Sequence, residues 1–500
     1  MTLHVTNTLS GERERFEPID PDSVLLYYCG LTVSDEPHLG HARAWVHVDV
    51  MHRWLSHLGY EVRHVENFTD VNEKIVARIG EDDLGETEAA VARHFIADVI
   101  EAMRGLNLLR ADVYPRVTEH IPEIIDLVET LVESGHAYES NGSVYFDVTT
   151  FEEYGKLSNQ RVEELEAQGE EDELAEKRHP ADFALWKAGE AHPDGVSERS
   201  SDGSSDESNE SDGPPPGGQT WDSPWGEGRP GWHIECSAMS MCHLGESIDI
   251  HAGGQDLVFP HHENEIAQSE AATGEPFAKY WLHVRLLETG DEKMSSSLGN
   301  FTTVADALAE YGANVLRMFY VSTAYDQRQT YSQGTIDEAV ERWDRLSRAY
   351  ERAVAACDSV DAHTKVEDEA LRAAVIEARE SFTDAMNDDF NTREAVTALL
   401  ELGRAVNRHA DVHEEYDYQG LHEAIETFDE FGGGVLGFAF DGDAAGDAGL
   451  AGEVVELVLD LREQEREAGN FDRADELRDR LEALGVTVED AAEGPTYRLR

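Results

Sequence analysis

Two short motifs place groups suited to phosphate chemistry in one chain. His38-Leu39-Gly40-His41 follows the apolar run Val24 to Cys29 and opens a helical pattern. Lys293-Met294-Ser295-Ser296-Ser297 follows a second apolar run, Leu282 to Leu287. Imidazoles at the start of a helix can donate hydrogen bonds to phosphate oxygens as charge develops, and the helix N-terminus itself favours anions. Gly40 leaves room for a ligand beside the backbone. A mobile loop carrying Lys293 and serine hydroxyls can follow a pyrophosphate leaving group. Alone, a His-x-x-His pair is more often a capped surface turn or an isolated metal pair, and the lysine segment is usually a flexible polar loop. In this order, at the ends of two strands, they point to ATP activation by His38, Gly40, His41, Lys293, Met294, Ser295, Ser296 and Ser297.

Between them lies a stretch rich in metal-ligating side chains, Trp232-His233-Ile234-Glu235-Cys236 and then Phe259-Pro260-His261-His262-Glu263-Asn264-Glu265. His261 and Glu265 are four apart and share a helix face. With a cysteine they make a partial zinc set, although no Cys-x-x-Cys is present. The alternative is a polar helix start after Pro260, capped by His262 or Glu263. Cys236 lies 25 residues before His261, so only a fold can unite them. Cys29, at a strand end beside the His38 loop, is eligible as a further ligand.

The elements that must position these groups follow from hydrophobic period. Val24 to Cys29 reads as a buried strand. A helix with Val46, Val50, Trp54, Leu55 and Leu58 on one face follows, and Glu61 to Val65 reads as the next strand. Strand, crossover helix and strand predict a parallel α/β sheet with ligands at the strand carboxyl ends. Ile248 to His251 reads as another strand, with Ala252-Gly253-Gly254 as its turn. Glu163 to Lys177 is an acidic, helical insertion. The polar stretch within 190–218, above all Ser197 to Gly218, lacks core-forming side chains and is expected to be a disordered loop. From about residue 304 the strand signals nearly vanish. Helices are expected over Ile336 to Val354, Leu371 to Met386 and Thr392 to Val412. Gly432-Gly433-Gly434 and Asp441 to Gly449 read as linkers. Asn470 caps a helix with Ala474, Leu477, Leu481 and Leu484 that Gly485 ends, and Tyr497 to Arg500 forms a β-like tail.

Five hundred residues, 40% of them hydrophobic, support two or three domains. No apolar run spans a membrane and no signal pattern opens the chain, so a soluble, cytoplasmic protein is expected. Four cysteines in this length do not make a disulfide framework. The net charge is −64, from 104 acidic against 40 basic residues. Such self-repulsion weakens a compact state unless salt screens it, and at molar salt the Debye length falls to about 3 Å. The acid is spread over helical faces rather than gathered in a tail. It reads as adaptation to a salty, halophilic cytoplasm more than as an acidic interaction protein.

The ordered motifs resemble those of the cysteinyl-tRNA synthetase family, class I aminoacyl-tRNA synthetases. The resemblance runs through Tyr28 to Val33, His38 to Arg43, Asn67 to Asp70, Ser223 to Gly226, Arg229 to Met239, Phe259 to Glu265 and Lys293 to Asn300. It continues in Ala313 to Arg317 and Asp472 to Arg480. It implies a Rossmann-like parallel-sheet catalytic domain over residues 1–303. An α-helical bundle that contacts the anticodon stem would follow over 304–440, and a small C-terminal domain over 450–500. It further implies one Zn2+ held by Cys29, Cys236, His261 and Glu265, with the substrate thiolate on that ion, and Mg2+ bound with ATP. Thr69, Trp232 and His251 would line the amino-acid pocket, and His38, His41 and Lys293 would be catalytic. The expected partners are L-cysteine, ATP and the tRNA for cysteine, bound by a monomer with no membrane, and Arg473, Arg478, Arg480 and Arg498 are candidate tRNA contacts.

Serine differs from cysteine by one atom, and a pocket rejects such an isostere only about a hundredfold. A soft thiolate bonds zinc far better than a neutral hydroxyl does, so a metal can supply the selectivity. Two positions depart from the family pattern: Ser296 stands where a second lysine is usual, and Ser34 where an aromatic is frequent. An amino-sugar cysteine ligase would share the catalytic half but look shorter after Ser297. A non-catalytic RNA-binding relative would not need His38, His41, Lys293 and the four ligand candidates together.

Overall fold

A computed structural model describes residues 2–81, 84–162, 171–189, 218–289, 292–293 and 302–440, with scattered helical and strand residues between 458 and 499. By internal contacts the chain divides into two compact units, Met1–Phe438 and Ala439–Arg500.

The first unit is organised by a four-stranded parallel sheet of β1 (Ser23–Tyr28), β2 (Glu61–Glu66), β3 (Ile248–Gly254) and β4 (Ala278–Val284), in the order β4-β3-β1-β2. Helix α1 (Leu39–His57) crosses from β1 to β2. The chain later returns to the other side of β1, so the connections reverse between β1 and β3. Open parallel sheets bind ligands at such a reversal, outside the strand carboxyl ends. Cys29 leaves β1 there, and its N–H donates to the Ala252 carbonyl at 2.9 Å. Val24, Leu26 and Tyr27 are fully buried, as the continuous apolar run of a central parallel strand requires.

Between β2 and β3 the chain inserts helix α2 (Ile121–Ser134), a second sheet, and helix α3 (Trp232–Leu244). That sheet is antiparallel, with Ala137–Ser140, Ser143–Phe146, Phe183–Ala188, Gly226–Pro230 and Trp221–Ser223 paired in that order. Its strands are short, and Val144, Phe146, Leu185 and Trp186 are all fully buried. Ser143–Phe146 and the first four residues of Phe183–Ala188 show no alternation of buried and exposed residues, and the other strands are too short for period to announce them. The α/β pattern resumes with β3, helix α4 (Glu263–Thr273) and β4.

Helices α5 (Val304–Val321), α6 (Gln333–Cys357), α7 (Glu369–Asn387) and α8 (Thr392–Val412) then pack as a bundle. Each of the four has a side-chain N-cap, from Thr303, Ser332, Asp368 and Asn391. Arg317 of α5, fully buried, joins bundle to sheet through Asp49 of α1 at 2.5 Å.

Two expectations are corrected. Ala252 to Gly254 is not a turn but the end of β3, where Ala252, Gly253 and Gly254 pair with Leu282, His283 and Val284. Gly432 to Gly434 is not a linker. It belongs to the helical turn Phe428–Val435, held where Phe431 stacks on Phe382 at 4.2 Å. Within the acidic insertion, Glu171–Glu176 is helical and 163–170 lie outside the described residues. So do 190–217, 441–457, Asn470, Leu484, Gly485 and Arg500. In the second unit, residues 473–474, 477–478 and 480–481 are helical, and the tail is a strand, Gly494–Leu499, antiparallel to Val486–Ala491. No helix among the described residues is long and apolar enough to cross a membrane.

Candidate metal centre and nucleotide loops

Four side chains from four successive parts of the fold meet beneath the sheet reversal. Cys29 follows β1, Cys236 lies one turn into α3, His261 sits in the irregular turn Val258–His262, and Glu265 occupies the first turn of α4. One ligand atom from each lies within 4.8 Å of all the others, and all four residues are buried. The sulfurs of Cys29 and Cys236 are 3.6 Å apart. That is far beyond a disulfide bond and close to the edge of about 3.8 Å that two sulfurs at roughly 2.3 Å subtend on a tetrahedral zinc. All four cysteines are free thiols.

The donors are short of partners. His261 Nε2 and Glu265 Oε1 are 3.1 Å apart, yet neither makes a hydrogen bond, although both are buried. They face each other as a buried ion pair without a well-aligned hydrogen bond, a costly arrangement unless something completes it. The thiol, imidazole and carboxylate set is one that zinc accepts, so these residues fit the ion. The surrounding contacts orient them. His261 Nδ1 meets His233 Nδ1 at 2.9 Å, and Glu265 Oε2 meets His251 Nε2 at 2.9 Å. Such outer partners fix ring orientation at metal sites. Burial opposes the Glu265 charge, but His251 and His261 beside it hold its carboxyl down at about 2. Burial likewise opposes a charged His261, and Glu265 and Cys236 push it up to about 10. Cys236 is pushed well above the usual thiol range by its contact with Cys29 and by burial. The Cys236 contact lowers Cys29, but burial and Glu265 outweigh it. Without a cation, then, the sulfurs hold their protons.

Glu265 also closes a second grouping with His251 and His262. That set has no sulfur, and His262 Nδ1 is engaged by His283 Nε2 at 2.8 Å. The expected cap at Pro260 is corrected too. His262 occupies the N-cap position of α4 without a side-chain cap. Glu263 instead turns away to accept backbone N–H groups of Gly155, Leu157 and Ser158 at 2.9, 3.1 and 2.7 Å.

Around the cluster, Thr69 is buried, Trp232 is exposed with its ring 4.3 Å from that of His261, and His251 stacks on Trp281 at 4.3 Å. Asn67, which the sequence reading did not single out as a site residue, organises this wall. Its Oδ1 accepts from the Tyr27 hydroxyl at 3.0 Å and the Gly30 N–H at 2.9 Å, and its Nδ2 donates to Thr69 Oγ1 at 3.2 Å. Gly30 is required there, since a Cβ would stand 1.7 Å from the Asn67 carbonyl oxygen. A polar residue at a strand carboxyl end was the available signal for Asn67. Nothing in spacing marks His283 or Trp281.

At the start of α1, His38 Nδ1 accepts the Gly40 N–H at 3.1 Å and His41 Nδ1 accepts the His38 N–H at 3.3 Å. Both rings therefore carry their proton on Nε2, the tautomer that donates to an oxyanion. The rings stack at 3.6 Å. The room that Gly40 leaves is taken by the His38 ring, 2.8 Å from where a Cβ would be, rather than by open space for a ligand. Lys293 pairs with Glu288 in a short hairpin, and Met294 to Ser297 lie outside the described residues. Where the chain resumes, Leu39 N–H donates to Thr302 O at 3.2 Å and Val304 N–H to Pro37 O at 2.8 Å. Thr302 to Val304 thus lie against the His38 loop. Arg473, Arg478 and Arg480 fall on helical residues of the second unit, and Arg498 on its last strand.

Residues 15–201 and 212–341 match the family of tRNA synthetases class I (C) catalytic domains. Residues 381–441 match the DALR domain, and 449–498 the cysteinyl-tRNA ligase anticodon binding domain. A cysteine–tRNA ligase of Haloarcula marismortui is 70% identical, and one of Halobacterium salinarum 66%, each over the whole of both chains. One from Thermococcus onnurineus is 43% identical over all of this chain and 99% of its own. Among solved structures, Mycobacterium tuberculosis methionyl-tRNA synthetase in complex with methionyl-adenylate shares the fold. It superposes with a TM-score of 0.57 at 15% identity, covering 81% of this chain and 88% of that one. The chain belongs to the cysteine–tRNA ligases, class I aminoacyl-tRNA synthetases that join cysteine to tRNA with ATP.

Proposed function

We propose that the ligation is zinc-dependent and runs through a cysteinyl-adenylate, with Cys29, Cys236, His261 and Glu265 holding the ion. The convergence of those four ligand atoms within 4.8 Å carries this reading. Zinc bound there supplies a soft Lewis acid for the cysteine thiolate, which a serine hydroxyl cannot match. Thr69, Trp232 and His251 line the amino-acid pocket, and His251 keeps Glu265 oriented through its 2.9 Å contact.

The cysteine carboxylate oxygen attacks the α-phosphorus of ATP, which binds with Mg2+. The bond to the bridging oxygen breaks and pyrophosphate leaves. His38 and His41 donate from Nε2 to the oxygens of the five-coordinate phosphorus, and Lys293 neutralises the departing pyrophosphate. Positioning and charge neutralisation account for most of the rate in such transfers. A ribose hydroxyl of the terminal tRNA adenosine then attacks the acyl carbon, and AMP leaves. Residues 1–303 do this chemistry, the helices of 304–440 hold the anticodon stem, and 450–500, with Arg473, Arg478, Arg480 and Arg498, contact the anticodon region.

Cysteine-dependent ATP–pyrophosphate exchange at high salt is the test. Exchange that requires cysteine and disappears on chelation supports the proposal, and recovery with added zinc completes it. Full exchange in metal-free protein would overturn the zinc assignment.

A further inference from the structure

Helix α3 carries Cys236 near its start and a second group of ligating side chains in its last turn. Cys242 and His243 lie six and seven residues beyond Cys236, about 9 Å along the helix axis at 1.5 Å per residue. They face His120, the residue before α2. One ligand atom each from His120, Cys242 and His243 lies within 4.8 Å of the other two. His120 is buried, His243 half-buried and Cys242 exposed. None of the three takes part in the ligation chemistry argued above.

His120 is oriented as metal-bound histidines are. Its Nδ1 lies 2.7 Å from the Arg116 carbonyl oxygen, so Nδ1 carries the proton and donates it. Nε2 is then left with its lone pair, aimed at His243 Nε2 at 2.9 Å. A backbone carbonyl that fixes the tautomer in this way is a recurring outer partner of metal-ligating imidazoles. Cys242 and His243 stand at the C-terminal end of α3, where the helix dipole favours positive charge. Glu119 and Glu123 also act on His243, and the cation Arg63 opposes them.

We propose that His120, Cys242 and His243 form a second, peripheral site for a borderline-soft divalent cation such as Zn2+, separate from the site of Cys29, Cys236, His261 and Glu265. Two imidazoles and a thiolate make three of the four ligands of a tetrahedral ion, and water takes the fourth position. In the metal-free pair His243 donates its Nε2 proton to His120. On loading, that proton moves to Nδ1 of His243, and the Cys242 thiol gives its proton to solvent as the sulfur–metal bond forms. The two Nε2 atoms need only separate to about 3.3 Å, the edge set by two Zn–N bonds of roughly 2.05 Å. The ion would pin the start of α2 to the end of α3, so binding it should stabilise the folded chain.

The full chain, reconstituted with Zn2+ and freed of excess, should hold two equivalents. Cys242→Ser and His120→Ala should each hold one and keep full cysteine-dependent exchange. Cys236→Ala should also hold one, but lose exchange. With Co2+, wild type and Cys236→Ala should show a thiolate-to-metal band from this site, and Cys242→Ser should lose that share of the absorption. Zinc should raise the Tm of Cys236→Ala and not that of a Cys236→Ala, Cys242→Ser double variant. Identical zinc content and cobalt spectra in wild type, Cys242→Ser and His120→Ala would overturn the peripheral site. A count that falls in Cys242→Ser but not in Cys236→Ala would instead overturn the proposed catalytic zinc while leaving this one standing.

Discussion

Asp49–Arg317 and the cluster around Glu265 both bury charge completely, and they treat it in opposite ways. The Arg317 guanidinium donates from Nε to Leu436 O at 2.7 Å, from Nη1 to Leu106 O at 3.0 Å, and from Nη2 to Asp49. Asp49 also accepts from Arg53 Nε at 2.9 Å and the Leu109 N–H at 2.8 Å. Burial works against the Asp49 charge, yet Arg317 and Arg53 hold its carboxyl below the ordinary range. Nothing is left over. At the other site Glu265 Oε1 and His261 Nε2 remain without hydrogen bonds. Glu263, two residues away on the same helix and equally buried, is closed off by three backbone N–H groups. At Asp49–Arg317, which only has to hold two parts together, each charged group meets several partners. At the proposed zinc site, donors stay aimed at one point and the cost is tolerated.

Two substitutions set this contrast against measurement. Cys236→Ala should abolish cysteine-dependent exchange and remove one zinc equivalent, while the unfolding free energy of the metal-free chain moves by no more than about 1 kcal/mol, the ordinary scale for a small side chain. Asp49→Ala should do the reverse. It strands a buried guanidinium, so chemical denaturation at fixed high salt should show a loss of about 3–5 kcal/mol with zinc content unchanged. Comparable stability losses in the two metal-free variants would dissolve the distinction.

The same contrast explains what could be read from sequence. The parallel sheet was legible because the apolar run Val24 to Cys29 and the short valine-bearing stretch Glu61 to Val65 flank an amphipathic helix, and the observed strands fall at Ser23–Tyr28 and Glu61–Glu66. The helix expected over Thr392 to Val412 has those bounds, since period and the Asn391 cap agree. The antiparallel sheet was not legible, because Ser143–Phe146 and the first four residues of Phe183–Ala188 are buried without alternation and the other strands run only three to five residues. Gly432 to Gly434 misled, because glycine marks a linker only when no aromatic packing holds it, and Phe431 on Phe382 does. Within the candidate site, residue types that can ligate a metal announced themselves. Asn67 and His283 did not, because orienting a ligand takes no special residue type.

Weaker contacts sharpen the comparison at the metal itself. His251 touches Glu265 but is outside the four-ligand set. His251→Leu should therefore lower zinc affinity about 10–100-fold, read by chelator competition, rather than abolish binding. Proton competition sets the pH dependence. The metal-free chain holds protons on Cys29 and Cys236, both raised above the thiol range, and on His261, pushed up to about 10. Each must leave before its atom can ligate, so zinc affinity should climb as pH rises towards 10 and zinc should be shed on acidification. Affinity independent of pH between 6 and 9 would mean that these groups are not the ligands.

The smallest effect is expected at the nucleotide end, where the sequence itself leaves a charge out. Ser296 stands where a second lysine is usual, so in the proposed mechanism Lys293 would meet the leaving pyrophosphate without that helper. At molar salt a charge acts only over about 3 Å, so a lysine at this position can help only by touching the pyrophosphate. One added charge-assisted hydrogen bond contributes roughly 1 kcal/mol, or about fivefold in rate. Ser296→Lys should therefore raise the exchange rate by a few-fold without changing the KM for cysteine, because in the proposed mechanism this residue acts on the leaving group and not on the cysteine side chain. The gain should persist in molar KCl. A gain seen only at low salt would come from long-range attraction and place residue 296 away from the phosphates. No gain at any salt would mean that the serine hydroxyl already fills the lysine's role.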